Sequence, residues 1–303
     1  MNWFFIALFA PALWGITNYI EKYLISRYFK EKGFGAFIIF SSLTSFLVLP
    51  LILVFHPAVF GVSVIQVAWI ILSEVIITLA IVAYLYALRK DETSIVVPLF
   101  QTIPVFAFIL GYFISGETLT MFQLIGSLLI FLASVSLSIE FGAGKTKFKS
   151  SIFLLMLLSS ALVALSSIIF KIFAKQTDFL TTTFWSYAGN LLIVVFLFVF
   201  IRNYRAQFLR LMSANRVSLI GLTSLNTILG TVAELCLKFS SLFVPVALVW
   251  VVNGFQPFFV FIYGVILTLF LPHINTESLV KRHLMHKIIA IAVMFLGSYI
   301  LSY

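Results

Sequence analysis

The chain has 303 residues, of which 62% are hydrophobic, only 10% are charged and 35 are Phe, and its mean hydropathy is +1.17. So little polar surface excludes a water-soluble domain of this length. The formal charge of +9 would suit nucleic acid, but Lys and Arg are thinly spread and flank apolar runs; that is the pattern of membrane-protein loops, and no nucleic-acid partner is expected.

A helix that crosses a bilayer needs about 20 apolar residues. In chain order the sequence predicts ten such helices, near 3–25, 34–55, 64–88, 94–113, 120–140, 150–174, 179–201, 216–239, 244–270 and 284–302. Turn formers or charges fill the breaks, as in "LRKDETS", "FGAGKTKFKS", "RNYRAQFLRLMSANR" and "LPHINTESLVKRH". No loop is long enough to hold a soluble domain. The first apolar run lacks a basic start and a small-residue cleavage site, so a retained helix is expected rather than a signal peptide.

The first helix already repeats later in the chain. "ALWGITNYIEK", Ala12–Lys22, aligns without gaps to "ALVALSSIIFK", Ala161–Lys171, at an offset of 149. "TIPVF", Thr102–Phe106, aligns with "FQPFF", Phe255–Phe259, and "FLASVSLS", Phe131–Ser138, with "FLGSYILS", Phe295–Ser302, at an offset grown to 164 by a longer loop. Each unit holds five helices, and an odd number forces the second copy to enter the membrane from the opposite face. The expected fold is an all-α polytopic membrane protein, ten transmembrane helices in two inverted five-helix repeats, 1–144 and 145–303. Many secondary transporters are built so, with substrate handled near the midplane.

Polar residues interrupt several of these apolar helices. In the first, Trp14 and Asn18 share a face at i, i+4 and Tyr19 continues its edge, which suits a planar or cationic metabolite; close packing around Gly15 explains the same residues equally well. In the third, Glu74 lies about ten residues from either end. An ionised acid there costs at least about 2.5–3.5 kcal/mol, so Glu74 must face a wet cavity, pair with a cation or carry a proton. It is either a coupling acid that exchanges a proton for substrate or a protonated side chain bonded to a neighbouring helix. Gln101 precedes Pro104 in the fourth helix, and each proline can kink its helix where substrate sites form.

Glu74 maps within one residue onto Asn226 of the eighth helix, so both are expected to face one pseudo-symmetric centre. Glu234 follows two turns later with Lys238 at i+4, a favourable helical pair or a second coupling acid. In the ninth helix Trp250, Asn253 and Gln256 form one stripe at three-residue steps. Lys22 and Lys171, near the ends of helices 1 and 6, either snorkel to headgroups or capture anions at the mouths of a pathway. Cys236, the single cysteine, rules out a disulfide within the chain and a thiolate metal site. His283 and His286 have no acid beside them and are read as loop rather than metal ligands. No phosphate-binding loop is present, so no cofactor is expected and transport must run on a gradient or exchange.

"LWGITNYIEKYLI" in helix 1 and "YALRKDETSIVVPLFQTIPVFAFILGYFISGETLTMFQLIGSLLIFLASVSLS" through helices 3 to 5 resemble the EamA group of the drug/metabolite transporter superfamily, in the Thr-x-Pro-Val-Phe centre, the Gly-Glu after helix 4 and the Gly of helix 5. The second half, "NGFQPFFVFIYGVILTLFLPHINTESL", keeps the Pro and lacks the Gly-Glu. The resemblance implies ten helices, inverted halves and carriage of small metabolites. The expected function is a secondary active transporter for a small organic metabolite, an amino acid, amine or related solute, working by alternating access with proton coupling or exchange. A lipid scramblase or flippase would use the same helices; an intramembrane enzyme needs a convergent catalytic set, and none converges here. The expected setting is a monomer crossing a prokaryotic cell membrane many times. Of the 19 Lys and Arg, all except Lys22, Lys171, Lys175 and Lys238 fall on the side that holds the loops after odd-numbered helices. That bias predicts external termini, whereas the resemblance implies cytoplasmic ones.

Overall fold

In hydrocarbon a backbone must satisfy its own polar groups, so uninterrupted apolar runs become helices even where β-branched residues abound. The computed structural model describes residues 2–28, 39–40, 42–90, 99–138, 150–213, 217–270 and 281–301, and among these the regular structure is entirely helical. The helices are α1 (Asn2–Tyr28), α2 (Ser45–Phe55), α3 (Val64–Lys90), α4 (Ile103–Ser115), α5 (Met121–Ser138), α6 (Ser150–Gln176), α7 (Phe179–Phe200), α8 (Arg202–Ser213), α9 (Val217–Ser240), α10 (Val246–Asn253), α11 (Gln256–Phe270) and α12 (Lys281–Leu301).

Among the described residues six helices are long and apolar enough to cross a membrane: α1, α3, α6, α7, α9 and the run Val246–Phe270. Four shorter apolar helices, Ser45–Phe55, Phe100–Ser115, Met121–Ala133 and Ile288–Leu301, occupy the other positions at which spans are expected. Six of the ten expected spans thus reach full length among the described residues. The starts of the helices predicted at 34 and 94 lie outside the described residues, as does the basic loop 145–149.

Two elements differ from the sequence reading. "RNYRAQFLRLMS", expected as loop, is the helix α8; it contains no Gly or Pro and is rich in Arg, Leu, Gln and Ala, all good helix formers. The single helix expected over 244–270 is broken. Gly254 N donates to the Val251 carbonyl (2.9 Å) and Phe255 N to the Val252 carbonyl (3.0 Å), tightening the chain before Pro257. That proline has no N–H and its ring crowds the carbonyl four residues back, at Asn253. The same device recurs at Pro104, where a 3-10 turn over Phe100–Thr102 leads into α4.

α10 lies at the heart of the bundle, with Val246, Ala247, Leu248, Val249, Val251 and Val252 all buried, as befits a helix apolar on every side. One side packs against Ala80, Ala107, Val163 and Ala164 of α3, α4 and α6. Another meets Ala7, Ala10, Ala233 and Leu237 of α1 and α9, and a third meets Ile130, Ala133, Ala290 and Met294 of α5 and α12. Small residues make these approaches possible. The tightest is between α5 and α12, where a Cβ on Gly126 would stand 2.6 Å from the Gly297 carbonyl oxygen. α1 packs along α9 and α3 along α6.

Candidate functional site

α9 carries Asn226, Gly230, Glu234 and Lys238 at four-residue steps, so they form one slowly turning stripe. Leu225, Ile228 and Val232, on the opposite side of the helix, are exposed where lipid would be. At one end of the stripe Lys238 Nζ lies 2.6 Å from Glu234 Oε1, 3.4 Å from Glu74 Oε1 and 4.6 Å from the centre of the Phe170 ring. The Glu74 and Lys238 side chains are 7% and 15% exposed, that of Glu234 42%. Glu74 thus takes the cation-paired option of the three its depth allows, with a partner from the other half of the chain.

α3 is brought to α7 by Gly189, where an added Cβ would sit 3.2 Å from Ile71 Cα and 3.5 Å from Glu74 Cβ. Ser186 and Tyr187 of α7 face the same charged cluster. They belong to an inward stripe, Thr183, Ser186, Tyr187 and Asn190 at i, i+3, i+4 and i+7, across the helix from exposed Leu192, Val195 and Val199. The sequence reading passed over this stripe, although "TTTFWSYAGN" carries its polar residues at helical spacing.

At the other end of the stripe Asn226 Nδ2 donates to Glu21 Oε1 of α1 (3.1 Å), about 18 Å along α9 from Lys238 by helical rise. Gly230 lies between the two polar clusters. A Cβ built on it would meet no heavy atom within 4 Å, although it faces inward; the bundle is open there. Among the described residues, Thr183 Oγ1, Asn190 Oδ1, Asn226 Oδ1 and Asn253 Oδ1 are among the buried polar atoms without a hydrogen-bond partner. Such a group left unpaired costs roughly 1–3 kcal/mol, which calls for a solute or water beside it.

The other expected site residues divide. Trp14 and Trp250 come together with ring centres 6.5 Å apart and planes 18° from parallel, and Trp250 Nε1 donates to Ser167 Oγ (3.1 Å). Asn18 is exposed, yet it lies across α1 from the exposed Phe5, Phe9, Ile16 and Tyr23, so it opens inward. Tyr19 donates its hydroxyl to the Val260 carbonyl (2.8 Å) and ties α1 to α11. Gly15 packs as its alternative reading had it, since a Cβ there would be 3.0 Å from the Tyr263 ring and 3.1 Å from Phe259 Cβ. Gln101, Asn253 and Gln256 sit at the two proline breaks, Gln101 buried and the others half-buried. The side chains of His283 and His286 lie outside the described residues.

Residues 1–139 match the family model described as the EamA-like transporter family. Over those residues the chain is similar to that family. The resemblance read from helix 1 and from helices 3 to 5 is borne out there, consistent with the drug/metabolite transporter superfamily. Together with its apolar helices, the match supports a multi-pass membrane protein similar to transporters of that type. A solved structure titled "Crystal structure of protein" has a TM-score of 0.64 and 13% identity, covering 99% of this chain and 96% of its own; a likeness at that identity is one of fold alone. No curated protein matches the chain.

In the EamA-like half the Gly-Glu after α4 has a physical reason. Gly116 takes a left-handed φ of 67°, which only glycine adopts at no steric cost, and the turn lets Glu117 N donate to the Gly111 carbonyl (3.1 Å). Glu117 Oε1 then pairs with Lys171 Nζ of α6, and Glu117 Oε2 accepts from Val246 N at the start of α10 (2.9 Å). Lys171 also donates to the Val244 carbonyl (2.6 Å). It is buried and latched to an acid of the first half rather than snorkelling. Beside it opens a small cavity of about 280 Å³ lined by Ser115, Lys175, Phe243 and Pro245 among others. At the N-terminus of α7, Asp178 accepts from Thr181 N (2.8 Å) and Thr181 Oγ1 (2.6 Å) and meets His56 Nε2 at 3.3 Å. Partial burial pushes the Asp178 carboxyl up, but the two Thr181 hydrogen bonds and His56 outweigh it and hold the acid below its ordinary value.

Proposed function

We propose that the chain is a secondary active transporter that moves a small organic metabolite through the space beside Gly230, with the amine of a cationic or zwitterionic solute held between the two polar clusters of α9. The observation that carries this reading is the inward-facing opening at Gly230 between Glu21–Asn226 on one side and Glu74–Lys238–Glu234 on the other. Three acids border it against one lysine, which favours a positive group. The aromatic faces of Trp14 and Trp250 supply a surface for the apolar or planar part of the solute.

The coupling step follows from sharing. Lys238 serves two carboxylates, so a substrate ammonium entering the space competes with it for Glu74 and Glu234, and a proton on Glu74 releases the substrate again. Alternating access requires the halves 1–144 and 145–303 to exchange roles. The packing of α1 on α9 and of α3 on α6 supports this, because swapping inverted five-helix repeats carries each pair into the other. The protein acts as a monomer in a prokaryotic plasma membrane, through ten spans, and needs no cofactor.

The test is reconstitution of the purified chain in liposomes with an imposed pH gradient and a panel of labelled amines, amino acids, nucleosides and sugars. Saturable uptake of an amine or amino acid supports the proposal. Movement of labelled long-chain lipid alone would instead establish a scramblase.

A further inference from the structure

We infer that α8 is an interfacial helix whose arginines Arg202 and Arg205 hold the phosphates of anionic lipids at one membrane surface. α7 has 22 residues, about 33 Å of helix, which uses up the roughly 30 Å hydrocarbon core, so the chain beyond Ile201 stands at the membrane boundary.

The chain then turns. In one straight helix Phe198 and Phe208 would be about 15 Å apart along the axis, yet their ring centres are 5.9 Å apart. Phe208 also packs on Phe40, ahead of α2, at 4.9 Å. α8 is therefore folded back and pinned by Phe208 against the last turn of α7.

Pinning that face fixes what the others meet. Leu209 and Met212 remain 51% and 40% exposed, as do Val199 and Phe200 in the last turn of α7 at 50% and 68%, apolar surface suited to acyl chains. Arg202 is exposed and Arg205 half-exposed, and both share the Leu209 side of the helix at 100° per residue. No acidic residue stands anywhere between Asp178 and Glu234 in the chain, so Arg202 and Arg205 have no acid near them in sequence. A basic helix whose arginines border its apolar residues in this way lies in the plane of the interface, with the guanidinium groups reaching anionic headgroups. The shared chemistry is a phosphate monoanion, and the apolar residues beside it select a lipid over a soluble phosphate.

Native mass spectrometry of the purified full chain, offered equimolar phosphatidylglycerol and phosphatidylcholine, tests this. The parent protein should retain phosphatidylglycerol preferentially, by about fivefold for each arginine. Arg202→Gln with Arg205→Gln should abolish most of that preference, and Arg202→Lys with Arg205→Lys should keep it. Lys175→Gln, an exposed lysine at the end of α6, should change nothing. An undiminished preference in the Gln double variant overturns the inference, as does an equal loss with Lys175→Gln. Displacement by glycerol phosphate as effective as by the lipid would mark a small-anion site and equally overturn it.

Discussion

Lys238 of α9 reaches Glu74 of α3 at 3.4 Å while holding Glu234, one turn before it in its own helix, at 2.6 Å. One cation thus serves two carboxylates drawn from different halves of the chain. Glu74→Gln keeps the shape and hydrogen-bonding capacity of the side chain and removes its titration. The variant should insert and express like the parent, and its uptake in liposomes should no longer respond to the pH gradient. A pH response equal to the parent's would rule Glu74 out as the coupling group.

Removing the lysine is a different experiment. Lys238→Met leaves Glu74 buried without its cation, and breaking a buried pair from one side costs about 3–5 kcal/mol. Thermal unfolding in detergent should show a large loss of stability. Adding Glu74→Gln to Lys238→Met should recover much of it, since Glu234 is 42% exposed at its side chain and can find water. Equal stability of the single and double variants would mean that Glu74 does not depend on Lys238.

The open space at Gly230 makes a size prediction. Because no heavy atom lies within 4 Å of a Cβ built there, Gly230→Leu should fold as well as the parent while blocking uptake, with Gly230→Ala intermediate in transport. A cysteine at Asn18, exposed on the inward side of α1, should react with a water-soluble thiol reagent, and substrate should protect it. A Gly230→Leu protein that transports normally would place the pathway elsewhere.

Much of this was legible in the sequence for physical reasons. Apolar runs of span length, the offset repeat and the two prolines each impose backbone consequences, and the breaks before Pro104 and Pro257 follow from them. Glu74 was found because an acid in the middle of an apolar helix needs a partner. Its partner was not found, because Lys238 lies 164 residues away and looked satisfied by Glu234 alone. Gly230 gave no signal at all, since a glycine that faces space looks in sequence like one that permits packing, as Gly15 does. α8 is hard to see in the sequence because three arginines in twelve residues look like loop charge between two apolar runs.

Asp178 gives a pH prediction outside the spans. Its folded-state value lies below the ordinary 3.8, so its stabilising contribution is complete at neutral pH and disappears as pH falls below that ordinary value through the lowered one. Asp178→Ala removes the helix cap and should cost about 0.5–2 kcal/mol. Asp178→Asn keeps a cap and should lose less, and its melting temperature should be flatter than the parent's in acid. Identical acid profiles for parent and Asn variant would show that the carboxylate contributes only as a cap.

Orientation is where charge and resemblance disagree. Ten spans would put the loops after odd-numbered helices on one side, and that side holds every Lys and Arg except Lys22, Lys171, Lys175 and Lys238. The bias acts directly during insertion, through short loops of the kind found here, whereas a resemblance transmits the topology of other sequences. Inverted halves make either orientation compatible with one fold, so the charge decides. The expected arrangement has external termini, with Arg202 and Arg205 of α8 on the cytoplasmic surface, where anionic lipid concentrates. A fluorescent protein that matures only in the cytoplasm, fused after Tyr303, should stay dark, and a phosphatase active only outside should work at the same place. A bright first fusion with a silent second would reverse the assignment and move α8 to the outer surface.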